Sequence, residues 1–370
     1  MIDKIPDDLR AIAARFATTG QVVAVQPFGS GNINDTFLVT IASGKERFIL
    51  QRLNTHVFRQ PDLVMKNMLA ATEHINARIR NFSVPNGRRW ETPVVLRSVD
   101  GHDHLIDDRG SFWRAISFIE DAETFDAVRN TAHAEEIGFA LGMFHNLVSD
   151  LPPYMLADTL EGFHITPQYL LHFDDIRRKR SLNSPDAKYC FRFIEARRPL
   201  AQVLEEAKTR GHLLVRTMHG DPKVNNVLID SSTRQAVGMI DLDTVKPGLV
   251  HYDIGDCLRS ACNPLGEEVN NLESVRFEPD LCRAILRGYL SQARGFLLAP
   301  DYEYLFDAVL LIAFELGLRF FTDHLEGDVY FKTRREGHNL QRALVQFKLV
   351  ERIEAQETAI RAIIGPLSRK

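Results

Sequence analysis

A chain of 370 residues, 45% hydrophobic and 25% charged, has the composition of a folded globular protein, and its length favours two lobes over one core. A formal net charge of −4 offers no basic surface for nucleic acid, and the longest apolar run, Ala308 to Phe314, is far too short to span a membrane. The stretch from Met1 to Asp8 is too polar for a secretory signal, and the four cysteines (Cys190, Cys257, Cys262, Cys282) lack metal-type pairing, so the expectation is a cytoplasmic protein with reduced thiols.

Residues 7–19 read as a short helix. Three strands follow, over 22–28, 35–41 and 47–53, joined by Gly29-Ser30-Gly31-Asn32-Ile33-Asn34 and by Ser43-Gly44-Lys45. A glycine-rich turn between antiparallel strands lets backbone N–H groups approach phosphate oxygens, although a plain hairpin has the same composition. Strand alternation places Gln51 and Arg52 on opposite faces. Residues 62–80 predict a helix with Leu63, Met65, Met68, Ala71 and Ile75 inward. Residues 93–98 and 104–106 read as a hairpin turning at Asp100-Gly101-His102, with His102 and His104 exposed near its tip rather than paired on a metal. A strand runs from Phe112 to Ile119, with Trp113 in the core. The pattern then turns helical: 132–147 carries Ala134, Ile137, Leu141 and Phe144 or His145 on one face and ends at Leu151-Pro152-Pro153. Residues 154–215 are helix and loop, with the basic run Arg177 to Arg180 on a solvated face.

The densest stretch is His219-Gly220-Asp221-Pro222-Lys223-Val224-Asn225-Asn226, of the form H-x-D-x-x-x-x-N, leading into an apolar run. A second run, Ala236 to Ile240, ends in Asp241-Leu242-Asp243, and a polar loop separates the two. With a tip near Thr233 and Arg234, Val227 is expected opposite Ile240 and Asn226 opposite Asp241. Opposed residues hold their Cβ atoms about 5 Å apart, so an amide oxygen and a carboxylate there can share one Mg²⁺, whose oxygen ligands lie at about 2 Å. An ordinary hairpin with a His and two acids at its ends is the alternative. Beyond it, residues 302–325 predict one long helix interrupted by Asp307, Glu315 and Arg319, and 343–364 a last helix stopped by Gly365-Pro366.

The H-x-D-x-x-x-x-N spacing with its later Asp resembles the catalytic loop of protein kinases and, more closely, of the aminoglycoside phosphotransferase family of small-molecule kinases. The resemblance implies an α+β, bilobal, protein-kinase-like fold. A small antiparallel-β lobe over 1–119 would cover the nucleotide, and a mainly helical lobe over 120–370 would carry catalysis and substrate binding, with ATP and Mg²⁺ between them. It further implies Asp221 as the base that touches the substrate hydroxyl, and Asn226 and Asp241 as metal ligands. Gly29, Ser30, Gly31 and Asn32 would lie over the phosphates, and Ile119 and Glu120, in a hinge ending at Ala122, would meet adenine. His219 and Asp253 would support the loop. Kinases carry a Lys on the third strand; here either Gln51 does a weaker job or Arg52 supplies the charge. Glu73 is either the kinase-type helix Glu or a solvated acid. Asp243 is open between a second metal, the sugar and a turn cap.

Gly31-Asn32-Ile33-Asn34-Asp35-Thr36 and the stretch from Phe48 to Phe58 look like the N-acetylhexosamine 1-kinases of that family, which phosphorylate the anomeric hydroxyl of N-acetylglucosamine or N-acetylgalactosamine. So does the string from Phe314 to Asp323, where Arg319 matches an Arg facing the sugar; an ion pair with Glu315 is the alternative. A kinase for an aminoglycoside, homoserine or choline, and a non-catalytic nucleotide-binding module, are the competing functions.

Overall fold

Seven residues after the helix α1 (Asp7–Ala14), three antiparallel strands begin: β1 (Val22–Pro27), β2 (Asp35–Ile41) and β3 (Arg47–Leu53). The computed structural model describes residues 7–16, 20–29, 33–42, 46–81, 84, 87–180 and 183–367. Thr36 pairs with Gln51 and Asp35 with Arg52, so the last two face opposite sides of the sheet. Helix α2 (Pro61–Ile79) starts on Pro61 with Asp62 in its first turn, both favoured where N–H groups lack partners. It buries Val64, Met65, Asn67, Met68, Ala71, Thr72 and Ile75, while Leu63 stays half-buried.

The hairpin expected over 93–106 does not form. Its strands, β4 (Val95–Leu96) and β5 (Leu105–Ile106), lie end to end along β6 (Phe112–Ser117), with Val95 opposite Ile116 and Leu105 opposite Trp113. Two residues of strand are too few to hold a hairpin alone, whereas β6 presents a continuous edge. The order is β1-β2-β3-β6-β4, with β5 also on β6.

The rest of the chain is mainly helical. It runs through β7 (Ala122–Glu123), α3 (Thr131–Val148), α4 (Thr166–Lys179), α5 (Pro185–Ala196), α6 (Val203–Thr209), β8 (Arg216–Met218), β9 (Val227–Asp230), β10 (Ala236–Met239), β11 (Lys246–Gly248), α7 (Val250–Ala261), α8 (Pro279–Ala293), α9 (Ala299–Glu303), α10 (Leu305–Glu326), α11 (His338–Glu354) and α12 (Glu357–Leu367). A β-sheet region followed by a helical remainder is the expected α+β bilobal arrangement. β7 leaves the first sheet and pairs with β9 in a second, ordered β10-β9-β7.

Helix α3 is capped by Asn130, which accepts from His133 N at 2.9 Å. It crosses α8 at backbone contact: a Cβ on Gly138 would stand 1.9 Å from Ile285 O, and one on Gly288 2.0 Å from Glu135 O. That crossing holds His145 of α3 against α7. The helix expected over 302–325 is broken at Tyr304 into α9 and α10, and that over 343–364 is broken at 355–356. α12 also runs through Gly365-Pro366 to Leu367, because a proline in a last turn forfeits one bond while its φ remains helical. All four cysteines are free and buried, and among the described residues no helix is long and apolar enough to cross a membrane.

Candidate active site

The β9–β10 ladder pairs Val227 with Met239 rather than Ile240, and a bulge lies between Ala236 and Gly238. Asn226 O accepts from Ile240 N at 2.9 Å, so Asp241 is one residue past the position opposite Asn226. A one-residue slip would send its side chain to the wrong face. The left-handed backbone of Asp241 (φ 65°, ψ 53°), which Asp tolerates better than most residues, re-aims it.

Asn226 Nδ2 donates to Asp221 O at 2.8 Å and to Asp221 Oδ2 at 3.3 Å, which leaves Asn226 Oδ1 directed away from Asp221. Lys223 Nζ donates to the same Oδ2 at 2.5 Å. Burial works against the Lys223 charge, but Asp221 and Asp241 outweigh it and raise its pKa, so it stays a cation. Asp241 is open to solvent on one side and crowded by protein on the others. Burial, then the charges of Asp243 and Asp221, push its carboxyl up to about 7, against the opposing pull of Lys223 and Arg114. Asp221, Asn226 and Asp241 therefore meet at one place.

The loop is braced from below. Asp253 on α7 is fully buried and accepts from His219 N (2.6 Å), Gly220 N (2.8 Å) and His145 Nε2 (2.7 Å). Burial alone would raise the Asp253 carboxyl; the His145 hydrogen bond and charge, with His219, hold it below the usual range. His219 is kept neutral by burial, its Nε2 3.0 Å from Ile240 O and its Nδ1 accepting from Asp221 N at 3.3 Å. One imidazole thus spans the residue before Asp241 and the backbone of Asp221. Gly220 has φ 88°, and a Cβ there would lie 2.6 Å from Thr244 O, so no other residue fits without strain.

On the sheet side, Gly29 (φ 76°) is described, while Ser30, Gly31 and Asn32 fall outside the described residues. Arg52 lies on the outer face, paired with Asp35 (Nε to Oδ2, 2.8 Å) and set over Trp113, and is removed from the phosphate-binding set. Gln51 keeps the inner face, but its amide is engaged: Nε2 donates to Thr36 Oγ1 at 3.1 Å, and Oε1 accepts from Arg114 Nε (3.0 Å) and Nη2 (2.7 Å). Asp243 is also committed. It pairs with Arg114 and accepts from Asn34 Nδ2 at 2.6 Å, so it neither faces a substrate pocket nor only caps a turn. Glu73 is exposed on α2 and is no partner for a strand cation.

At the expected hinge, Ile119 packs with Leu228 and Val237, flanked by Ala122 and Ile240, in a small apolar cluster apart from the main core. Phe28 meets Phe118 edge-on at 5.7 Å between centroids. The Glu120 carboxylate takes Arg47 (2.9 Å to Nε) and its carbonyl takes Arg89 Nη2 (2.6 Å), so Glu120 is spoken for at both ends.

Arg319 is nearly buried, with four rings around its guanidinium carbon: Phe163 (5.4 Å), Tyr169 (4.9 Å), Tyr330 (5.9 Å) and Phe331 (5.4 Å). Its ion pair with Glu315 is loose at 3.9 Å. Glu315 instead meets His164 Nδ1 at 2.9 Å and Thr166 Oγ1 at 2.6 Å, and His164 Nε2 reaches Gly220 O at 3.3 Å. The aromatic cluster around Arg319 is thereby linked to the residue before Asp221. Burial opposes charge on His164, but Glu315 outweighs it and raises its pKa, so the carboxylate is neutralised locally. Sequence reading misses Lys223, Arg114 and the His164–Glu315 pair; only Lys223, two residues after Asp221, carries a local signal.

Among the described residues no group of three or more His, Cys, Asp or Glu could hold a metal. Two protein oxygens, from Asn226 and Asp241, suit Mg²⁺, which is commonly bound through one or two carboxylates or amides with substrate phosphates completing its shell. The like-charged Asp241, Asp243 and Asp221 give a cation a reason to bind.

A two-lobed α+β frame that brings such a loop and a second Asp to one cleft defines a phosphotransferase of the kinase-like class. The model of the phosphotransferase enzyme family, APH, matches residues 24–289, and the chain belongs to that family. Similar solved structures include a microcompartment-associated aminopropanol kinase (17% identity, TM-score 0.64, covering 96% of this chain and 98% of that one). An aminoglycoside phosphotransferase from Alicyclobacillus acidocaldarius is 15% identical, with TM-score 0.62 and coverage of 98% and 97%. A choline kinase from Cryptosporidium parvum is 15% identical, with TM-score 0.61 and coverage of 98% and 99%. At these identities the likeness is one of fold.

Proposed function

We propose that the protein transfers the γ-phosphoryl group of ATP to the anomeric hydroxyl of an N-acetylhexosamine or related neutral hexose. The observation that carries the choice of substrate is the charge of the pocket. Arg319 presents a cation among aromatic rings, and the nearby Glu315 is already matched by His164. At ~7 Å and an effective dielectric of ~20, a cationic amine would be repelled by Arg319 by about 2 kcal/mol. Sugar hydroxyls and an amide carbonyl instead accept from a guanidinium and stack on rings.

In this reading the Oδ2 of Asp221 is held by Lys223 and Asn226, and its other oxygen accepts the hydrogen of the sugar hydroxyl, aligning that oxygen with the γ-phosphorus. The proton passes to Asp221 late, as the new O–P bond forms and the bond to ADP breaks. An anomeric hydroxyl is more acidic than a simple alcohol, so a carboxylate is base enough. Lys223 stands as a fixed cation beside the transferred group. When bound through Asn226 and Asp241, Mg²⁺ supplies positive charge against the phosphate oxygens. The Phe118–Ile119 backbone, above Leu228, is the adenine-facing edge, since the Glu120 carbonyl is already taken.

The test is ADP release over N-acetylglucosamine, N-acetylgalactosamine, glucose, galactose, choline, 1-amino-2-propanol and kanamycin. The expected result is turnover with a hexose and a product that loses phosphate in mild acid, as glycosyl 1-phosphates do. Turnover confined to the amines, or an acid-stable product, refutes it.

A further inference from the structure

Resting on the phosphotransferase reading, we propose that Arg114 of β6, rather than any residue of β3, is the side chain of the small lobe that contacts the nucleotide's phosphates. Arg114 stands directly opposite Gln51 in the β3–β6 ladder, one strand over from the position where kinases carry a Lys. It is 1% exposed, yet it reaches both lobes. Gln51 Oε1 accepts from its Nε and Nη2 at 3.0 and 2.7 Å, and Nη2 also pairs with Asp243. Gln51 therefore works as a rest for the guanidinium, itself anchored on Thr36. A Lys at 51 would set a second cation against the first, which accounts for a neutral amide at that position.

Two observations aim the guanidinium at the phosphates. Asp243, its partner, is two residues beyond Asp241, so the cation stands near the proposed metal ligand. The remaining nitrogen, Nη1, is buried with no hydrogen-bond partner. An orphaned buried donor of this kind is costly, and its retention needs a reason. A planar fork with a free N–H edge is suited to phosphate oxygens, which it can bind in pairs.

Arg114 also ties the lobes together through Asp243, so the test separates phosphate contact from bracing. Calorimetric titrations of Mg-ADP and of adenosine are compared for the wild type, Arg114→Met and the double variant Gln51→Lys/Arg114→Met, with thermal melts confirming the fold. The expected result is adenosine affinity unchanged and ADP affinity lowered about tenfold to a hundredfold in Arg114→Met, the worth of charge-assisted hydrogen bonds. The double variant, with its cation back on β3, recovers ADP affinity. Equal losses for ADP and adenosine, or no loss for ADP, overturn the role of Arg114 while leaving the phosphotransferase reading standing. A wild-type protein that binds neither ligand overturns both.

Discussion

Asp241 makes the binding of metal-nucleotide depend on pH in a way its neighbours set. Its carboxyl is pushed up to about 7 by burial, then by Asp243 and Asp221. A carboxyl with that value passes from mostly protonated to mostly ionised between pH 6 and pH 8, and a metal ligand must be ionised. Because Asp241 is open to solvent on one side, which screens such a shift, the Mg-ADP affinity should fall by up to about tenfold from pH 8 to pH 6. Asp241→Asn should weaken Mg-ADP binding and lack this component, so that its residual pH dependence reports the ionisation of the nucleotide alone. Asp221→Asn removes one of the like charges and should move the wild-type midpoint down. Calorimetry across pH 5.5–8.5 checks both. Identical pH profiles in the wild type and Asp241→Asn would refute the reasoning. The same shift has a sign for folding. Because the folded value lies above the ordinary 3.8, the contribution of Asp241 to apo stability is present below pH 4 and lost as pH rises through 7. Added Mg²⁺ should counter that loss in thermal melts near pH 8.

Gly138→Ala puts a methyl 1.9 Å from Ile285 O, so α3 and α8 must separate; urea unfolding should show about 1–3 kcal/mol of destabilisation. Asp253→Ala strands three buried donors, on His219, Gly220 and His145, and should lower stability by about 3 kcal/mol or more while disordering the loop that carries Asp221. An unfolding midpoint within error of wild type would contradict the brace.

What could be read from sequence was local. The H-x-D-x-x-x-x-N loop, the second Asp, the three opening strands and the opposite faces of Gln51 and Arg52 all lie within short windows whose periodicity or spacing has a direct physical reading. What could not be read depended on partners far along the chain. β4 and β5 look like a hairpin until β6 offers a longer edge. The hairpin turns one residue earlier than expected, pairing Ala236 with Ile229, and a bulge between Ala236 and Gly238 takes back one of the two residues of slip; a Cβ on Gly238 would meet Glu91 O at 2.4 Å, a contact from a segment more than a hundred residues earlier. Arg114 becomes the counterpart of a strand Lys only once β6 is known to pair with β3. The His164–Glu315 pair joins residues 151 apart in sequence, and no spacing rule reaches that far.

The central claim is that Asp221 acts on a substrate hydroxyl while Asn226 and Asp241 hold the metal-nucleotide. Asp221→Asn tests it most directly, with Mg-ATP affinity and hexose-dependent ADP release measured on the same preparation. Affinity within about threefold of wild type, with turnover lowered ~10²- to 10⁴-fold, is the predicted result. Turnover within tenfold of wild type would contradict it.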